Sequence, residues 1–369
     1  MKILLVSVSF YPMVTPRSFR TTELVKELCR QGHEVSLVTD YHPAQHDALA
    51  QEYSFKIIDL GGRSWPSVPP SDHPLWHMPS RIARRVLSLF FEYPDMEIAH
   101  RVRNQLKKLS GFDLMISIAV PHMVHFGVAL ARSKQHPIAK TWVADNGDPY
   151  TGANLDSFRK PFYFKYVERY FFGKCDFMTV PIEDAKAGYE PRFHSKIRVI
   201  PQGFDLKPFA HLPTKYMGKS AAPRFAFAGS FIQNGRDPRK MLEYLLSLEQ
   251  DYHFSIYTRN PELAAWAVAP SLGRISVHPF IPRDQLLEQL AEMDFLVNIQ
   301  NESALMSPSK LIDYALTGRP VLSLSGQSAD FSALDRFMAG DYREDAGLKN
   351  VADYDIAHIV RQFIRLHHG

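Results

Sequence analysis

Between Asn301 and Leu322 the chain reads NESALMSPSKLIDYALTGRPVL, with two carboxylates, Glu302 and Asp313, on either side of Lys310. The preceding FLVNI predicts a strand, which Asn301 and Glu302 bring to an end. Pro308 and Ser309 predict a helix start, LIDYAL is apolar on one side, and Gly318 stands where a C′ residue would close the helix before VLSLS resumes a strand. Such a strand–loop–helix–strand unit favours ligands in the loop at the carboxyl end of its first strand. A helix N-terminus there offers unbonded N–H groups, with Ser307, Ser309 and Lys310 alongside, which suits an anion. Asp313 lies three residues beyond Lys310 and shares nearly the same helical face. A cation for phosphate beside a carboxylate for hydroxyls meets the needs of a nucleotide-linked sugar. The plainer reading is a capped helix with a surface lysine and aspartate.

A second set of polar groups stands at strand ends in the first half. The apolar run DLMISIA ends at Val120-Pro121-His122, and KTWVA ends at Asp145-Asn146-Gly147-Asp148. His122, Asp145 and Asp148 thus fall at carboxyl ends of strands, where open α/β sheets bind ligands. A lone histidine is more often structural, yet three polar groups here share one edge.

The elements that must position these groups alternate in type. KILLVSVS from Lys2 is a strand, FYPMVTPRSFR a loop, Thr21 to Gln31 a helix and EVSLVT from Glu34 a strand, which predicts a doubly wound α/β sheet. No G-x-G-x-x-G joins the first strand to its helix, so a dinucleotide site is disfavoured. Phe162 to Phe172, with Glu168 and Arg169, reads as an aromatic packing helix. The polar, proline-bearing stretch after Asp205 marks a domain boundary. Beyond it, RFAFA opens a second alternating series, followed by Gly229-Ser230 and a loop holding Arg236. The expected division is residues 1–205, residues 206–350, and a closing helix within 351–369 that packs back toward the first domain.

With 369 residues the chain can form two domains with full cores, and 45% hydrophobic with 22% charged residues is a globular composition. A net charge of +4 suits anionic ligands and is too mild for a nucleic-acid binder. Two cysteines, Cys29 and Cys175, give no disulfide framework and fit a reducing compartment. The first residues are too short for a signal peptide and no 18-residue apolar span occurs, so a cytoplasmic, soluble or peripherally bound protein is expected. RIARRVLSLFF and IAHRVRNQLKKL, within 81–109, mix arginine and lysine with large apolar residues. They read either as ordinary amphipathic helices or as a peripheral contact with anionic membrane.

Taken in order, these blocks resemble glycosyltransferase family 4, of the two-domain GT-B type, and its polysaccharide-assembly members in particular. YP, an arginine at 17 or 20, and L-x-x-x-G-H-E-V are similar to the opening of the acceptor domain. PHMVH, WVADNGDPY and VERYFFGKCDFMTV are similar to its middle blocks, and IPQGFD to the interdomain block. FAGSF, GRDP and SPSKLIDYALTGRPVL resemble the donor-domain blocks. Two departures stand out: Thr15-Pro16-Arg17-Ser18 replaces a glycine pair of the first loop, and Asp313 replaces a glutamate.

The resemblance implies two facing Rossmann-like domains with a cleft between them. It implies a retaining transferase that takes a sugar from a UDP- or GDP-linked donor to a glycan or lipid-linked acceptor, with no metal, no cofactor and no nucleic acid. Arg236, Lys310 and the N–H groups of Ser307 to Lys310 would meet the diphosphate, with Ser230 beside them and Arg17 in place of the missing glycines. Glu302 would accept from the donor sugar and Asp313 from the ribose. The segment around Phe280 would hold the base, His122 would stand near the reacting face, and Asp145 and Asp148 would orient acceptor or sugar. Lys240 is read as a surface lysine. Two other readings are a GT-B-fold 2-epimerase and a non-catalytic partner in a glycan-assembly complex. The acceptor-domain blocks argue against the first, and Arg236, Glu302, Lys310 and Asp313 against the second.

Overall fold

The computed structural model describes residues 1–66, 74–151, 161–212, 221–231, 237–300, 309–326, 330–348 and 350–368. The chain gathers into two compact units, Met1–Phe204 with Asp355–Gly369 (unit 1) and Asp205–Tyr354 (unit 2).

Unit 1 runs β1 (Lys2–Val6), α1 (Pro16–Arg30), β2 (Glu34–Thr39), α2 (Pro43–Tyr53), β3 (Lys56–Asp59), α3 (Pro74–Phe91), α4 (Met96–Leu106), β4 (Phe112–Ile118), α5 (Met123–Ala131), β5 (Ala139–Asp145), α6 (Phe164–Lys174), β6 (Phe177–Val180) and β7 (Ile197–Val199). Unit 2 runs β8 (Arg224–Ala228), α7 (Arg239–Ser247), β9 (His253–Tyr257), β10 (Ile275–His278), α8 (Arg283–Ala291), β11 (Phe295–Gln300), α9 (Ser309–Leu316), β12 (Val321–Ser325) and α10 (Ser332–Met338). The last helix, α11 (Ile356–His368), belongs to unit 1.

Each unit holds one parallel sheet, in the order β3-β2-β1-β4-β5-β6-β7 and β10-β9-β8-β11-β12. Helices cover both faces, which is why the central strands are nearly continuous apolar runs. Side chains along β1 alternate in destination, as the period of two requires. Ile3 and Leu5 pack with Leu24, Val25 and Leu28 of α1 and with Ile359 and Phe363 of α11. Leu4 and Val6 pack with Val102 and Leu106 of α4 on the other face. In unit 2, Phe225 and Phe227 of β8 enter one core, while Ala226 and Ala228 leave room for Tyr314 of α9 on the opposite side.

Several elements depart from the sequence expectation. Helix α2 was not expected, and α3 begins at Pro74 within a stretch, 63–79, that reads as an irregular loop. Two further departures concern α1 and α4. The helix expected from Thr21 begins at Pro16, because Thr15 and Ser18 form a reciprocal capping box and proline occupies the first turn. Arg17 is therefore a helix residue and not part of a loop. Of the basic-apolar segment 81–109, α4 is a core helix: Ile98, Val102 and Leu106 are buried, so this half has no apolar face to give a membrane. Among the described residues no helix is long and apolar enough to cross a membrane.

Candidate active site

Strand order in unit 1 reverses between β1 and β4, and the loops leaving those strands bound the crevice that parallel sheets offer to ligands. Ser9 Oγ donates to the Val120 carbonyl at 3.0 Å and ties the two loops together. His122 follows and leads into α5. Its Nε2 lies 3.1 Å from the Asp148 carbonyl. A carbonyl can only accept, so the proton sits on Nε2. The His122 ring also packs 4.9 Å from that of Tyr150, so the loops after β4 and β5 share one edge.

Asp145, at the end of β5, turns inward. Its side chain is 2% exposed and accepts from Arg20 Nε (3.1 Å), Arg20 Nη2 (2.9 Å), Arg17 Nη1 (3.3 Å) and Thr179 Oγ1 (2.6 Å). Burial works to raise this carboxyl, and the two guanidiniums with the Thr179 hydroxyl overcome it, leaving Asp145 below the ordinary carboxylate range. With both oxygens occupied it anchors arginines, and the expected contact with acceptor or sugar does not fit its surroundings. Arg17 lies across Gly147, where a Cβ would fall 2.8 Å from Arg17 Nε. Burial lowers the Arg17 guanidinium, and Asp145 acts against that. One turn into α5 and fully buried, His125 meets Ser117 Oγ at 2.8 Å, and Ser117 Oγ also accepts from Trp142 Nε1 at 2.7 Å. Burial pushes His125 down to about 4, so it packs as a neutral ring.

In unit 2 the switch point falls between β8 and β11. Their register is short, Phe225 with Phe295 and Ala226 with Leu296. Beyond it the buried Tyr314 hydroxyl accepts from the Ala228 N–H at 2.9 Å and donates to the Val297 carbonyl at 3.1 Å. The hydroxyl takes the place of the missing ladder bonds where the strands part. Gly229 (φ 151°) and Ser230 follow β8 directly. Phe280 follows β10, half its surface exposed, with the Arg259 guanidinium 4.5 Å from its ring centroid.

Helix α9 starts at Ser309 and so has Lys310 in its first turn, and Gly318 ends its turn at φ 64°. Asp313 accepts from Arg283 Nε at 2.7 Å, and Arg283 rests on the ring of Phe209. The carboxylate expected to hold a ribose thus carries an arginine partner. Glu302, Ser307 and Arg236 lie outside the described residues, as do the side chains of Ser309 and Lys310. Lys240, read from sequence as a surface lysine, lines a small pocket with Asp237, Ile299, Ser325 and Phe331 at the carboxyl ends of β11 and β12. Thr179 and Tyr314 were not signalled either, and Arg20 was named only as the alternative to Arg17, although Thr15-Pro16 announces the helix that carries both. Both thiols are buried enough to be raised, Cys29 to about 11 and Cys175 to about 12, and neither is poised as a nucleophile. Among the described residues no three His, Cys, Asp or Glu side chains cluster as metal ligands would.

The sequence pattern of Glycosyltransferase Family 4 matches residues 19–208. No curated protein sequence matches the chain. Among solved structures it is similar to a glycosyltransferase from Rickettsia africae ESF-5, with a TM-score of 0.65 at 12% identity over 99% of this chain and 97% of that one. It is similar to the apo form of the lipopolysaccharide outer core galactosyltransferase WaaB (0.63, 12%, 99% and 99%). It is also similar to HepE from Anabaena in complex with UDP-glucose (0.55, 11%, 99% and 98%). At such identities the likeness is one of fold, the GT-B arrangement of two parallel α/β units.

Proposed function

Since this chain belongs to glycosyltransferase family 4 and has the GT-B fold, we propose that it is a retaining glycosyltransferase moving a sugar from a UDP- or GDP-linked donor to a glycan or lipid-linked acceptor in bacterial-type surface polysaccharide assembly. The observation that carries this reading is the start of α9 at Ser309, which puts Lys310 in the first turn of a helix at the strand-end edge of unit 2, where a helix N-terminus suits an anion. The UDP-glucose bound by HepE supports a nucleotide-sugar donor, and the outer-core role in the name of WaaB supports the pathway.

In the proposed reaction the bond from the anomeric carbon to the leaving phosphate oxygen breaks. The acceptor hydroxyl bonds to the same face of that carbon, and its proton passes to the leaving phosphate. Charge gathers on the diphosphate, so Lys310, Arg236 and the backbone N–H groups of Ser307, Ser309 and Lys310 do most of the work electrostatically. Ser230 and Ser309 add donors, Glu302 accepts from the donor sugar, and the Phe280 segment lies against the base. Asp313 orients the ribose once Arg283 shifts or is shared. On the other unit His122 and the Asp148 loop face the reacting sugar, and Arg17 adds a positive charge that Asp145 aims. No metal is needed in this scheme.

The test is a thermal-shift screen of the intact protein against UDP, GDP, ADP and their sugars, with and without EDTA, repeated on Lys310→Ala. The expected result is stabilisation by one nucleotide class, indifferent to EDTA and lost in the variant, since a ligand that binds only the folded state raises its apparent stability. No shift with any nucleotide at millimolar concentration would overturn the reading and favour a non-catalytic partner.

A further inference from the structure

Helix α3 is exposed along almost its whole described length. Ile82, Val86 and Phe90 recur every four residues on it, and all are exposed, as is Phe91. Its C-terminal end touches the beginning of α6, where the Tyr163 hydroxyl donates to the Phe90 carbonyl. From that junction a second stripe runs along α6: Phe162 is 76% exposed, Tyr166 53% and Tyr170 47%, again four residues apart. These residues read from sequence as packing; in the structure Phe164, Phe171 and Phe172 do the packing and the other face of the helix is left bare.

Basic residues outnumber acidic ones around both stripes, with Glu92 after α3 and Glu190 beside Arg169 as the acids near them. The described part of α3 carries Arg81, Arg84 and Arg85 and no acid. On α6 the lone acid, Glu168, is buried and accepts from Thr151 at 2.5 Å. Lys165 and Arg169 stand 5.2 and 5.3 Å from the Tyr166 ring, and Lys174 4.7 Å from that of Tyr170. Arg169 is also paired with Glu190 at 2.6 Å. Amphipathic aromatics interleaved with lysine and arginine are the composition of the boundary between headgroups and acyl chains. A second copy of this chain docked through the same patch would set these cations against each other.

We propose that the exposed faces of α3 and α6 form one docking surface for an anionic lipid bilayer, with the aromatic and aliphatic side chains entering the headgroup layer and the arginines and lysines meeting lipid phosphates. The surface replaces the contiguous 81–109 contact expected from sequence: α4 drops out and α6 enters. It does not depend on which sugar is transferred, or on whether transfer occurs.

The intact protein is co-sedimented with phosphatidylcholine vesicles, with and without phosphatidylglycerol, at low and high salt and without nucleotide. Binding should be roughly tenfold or more stronger to the anionic vesicles and should fall with salt. Both Tyr166→Ser/Tyr170→Ser and Arg81→Gln/Arg84→Gln/Arg85→Gln should lose most of it with circular dichroism and Tm unchanged. If the tyrosine pair disturbs folding, Phe162→Ser, which alters a residue ahead of the helix, is read in its place. Binding to neither vesicle, equal binding to both, or wild-type binding by the α6 variants overturns the proposal. So does a dimer in light scattering that the α6 variants dissociate, which would assign the patch to self-association. The nucleotide screen reads the donor site separately, so either result can fail alone.

Discussion

Arg20 grips Asp145 through two parallel hydrogen bonds, at 3.1 and 2.9 Å, across 125 residues of sequence, and both side chains are 2% exposed. Arg20 also donates to the carbonyls of Ile200 and Pro201, and its guanidinium lies 5.1 Å from the Phe363 ring centroid. One ion pair therefore fixes α1, the end of β5, the segment after β7 and α11 together. Arg17, one turn earlier on α1, is aimed by the same carboxylate.

Asp145→Asn should leave two buried guanidiniums without their counter-charge. Breaking a buried pair from one side costs about 3–5 kcal/mol, so the urea midpoint should fall sharply. A direct ligand contact would behave otherwise, with activity lost and stability kept. Urea unfolding of the variant beside wild type separates the two.

Gly147→Ala would place a methyl group on the Arg17 guanidinium. The arginine must move, at a cost of about 1 kcal/mol or somewhat more. Transfer activity should fall to the level of Arg17→Ala, and the double variant should be no worse than either alone. Additive losses would show that Gly147 acts on something other than Arg17.

His125 titrates at about 4 when folded, against an ordinary 6.5. Across that window the unfolded chain binds the additional proton. The contribution is therefore complete above pH 6.5 and is lost as pH falls toward 4. By pH 5 the loss is roughly 2 kcal/mol. Unfolding free energies between pH 7 and 5 should slope accordingly, and His125→Gln should flatten that slope by this amount whatever it does to stability at pH 7.

Tyr314→Phe removes the hydroxyl that serves Ala228 and Val297. Two buried backbone groups would lose their partner, with an expected cost of about 1–3 kcal/mol. Hydrogen exchange should report it locally, as faster exchange of the Ala228 amide.

The sheets were legible in sequence because buried parallel strands are unbroken apolar runs: RFAFA and VLSLS fall at the bounds the structure gives β8 and β12. Helix α2 escaped notice because PAQHDALAQEY buries only His46 and so shows no apolar face. At the site, strand-end polar residues could be found by spacing, since a strand's end is a local property. What each does there could not: Asp145 is defined by arginines 125 and 128 positions away, and no local pattern tells a carboxylate facing a ligand from one facing an arginine. The same holds for Asp313 and Arg283.

Unit 2 begins at Asp205 and ends at Tyr354, and on the unit 1 side the flanking residues are neighbours: the Ile356 N–H donates to the Phe204 carbonyl at 2.9 Å. In topological terms unit 2 is an insertion whose entry and exit lie side by side. During synthesis it emerges whole while unit 1 still lacks Ile356, Ile359, Val360 and Phe363 from its core. The unit that starts first is thus the one that closes last. Cutting out residues 205–354 and bridging 204 to 355 with a short turn should yield unit 1 as a free-standing domain.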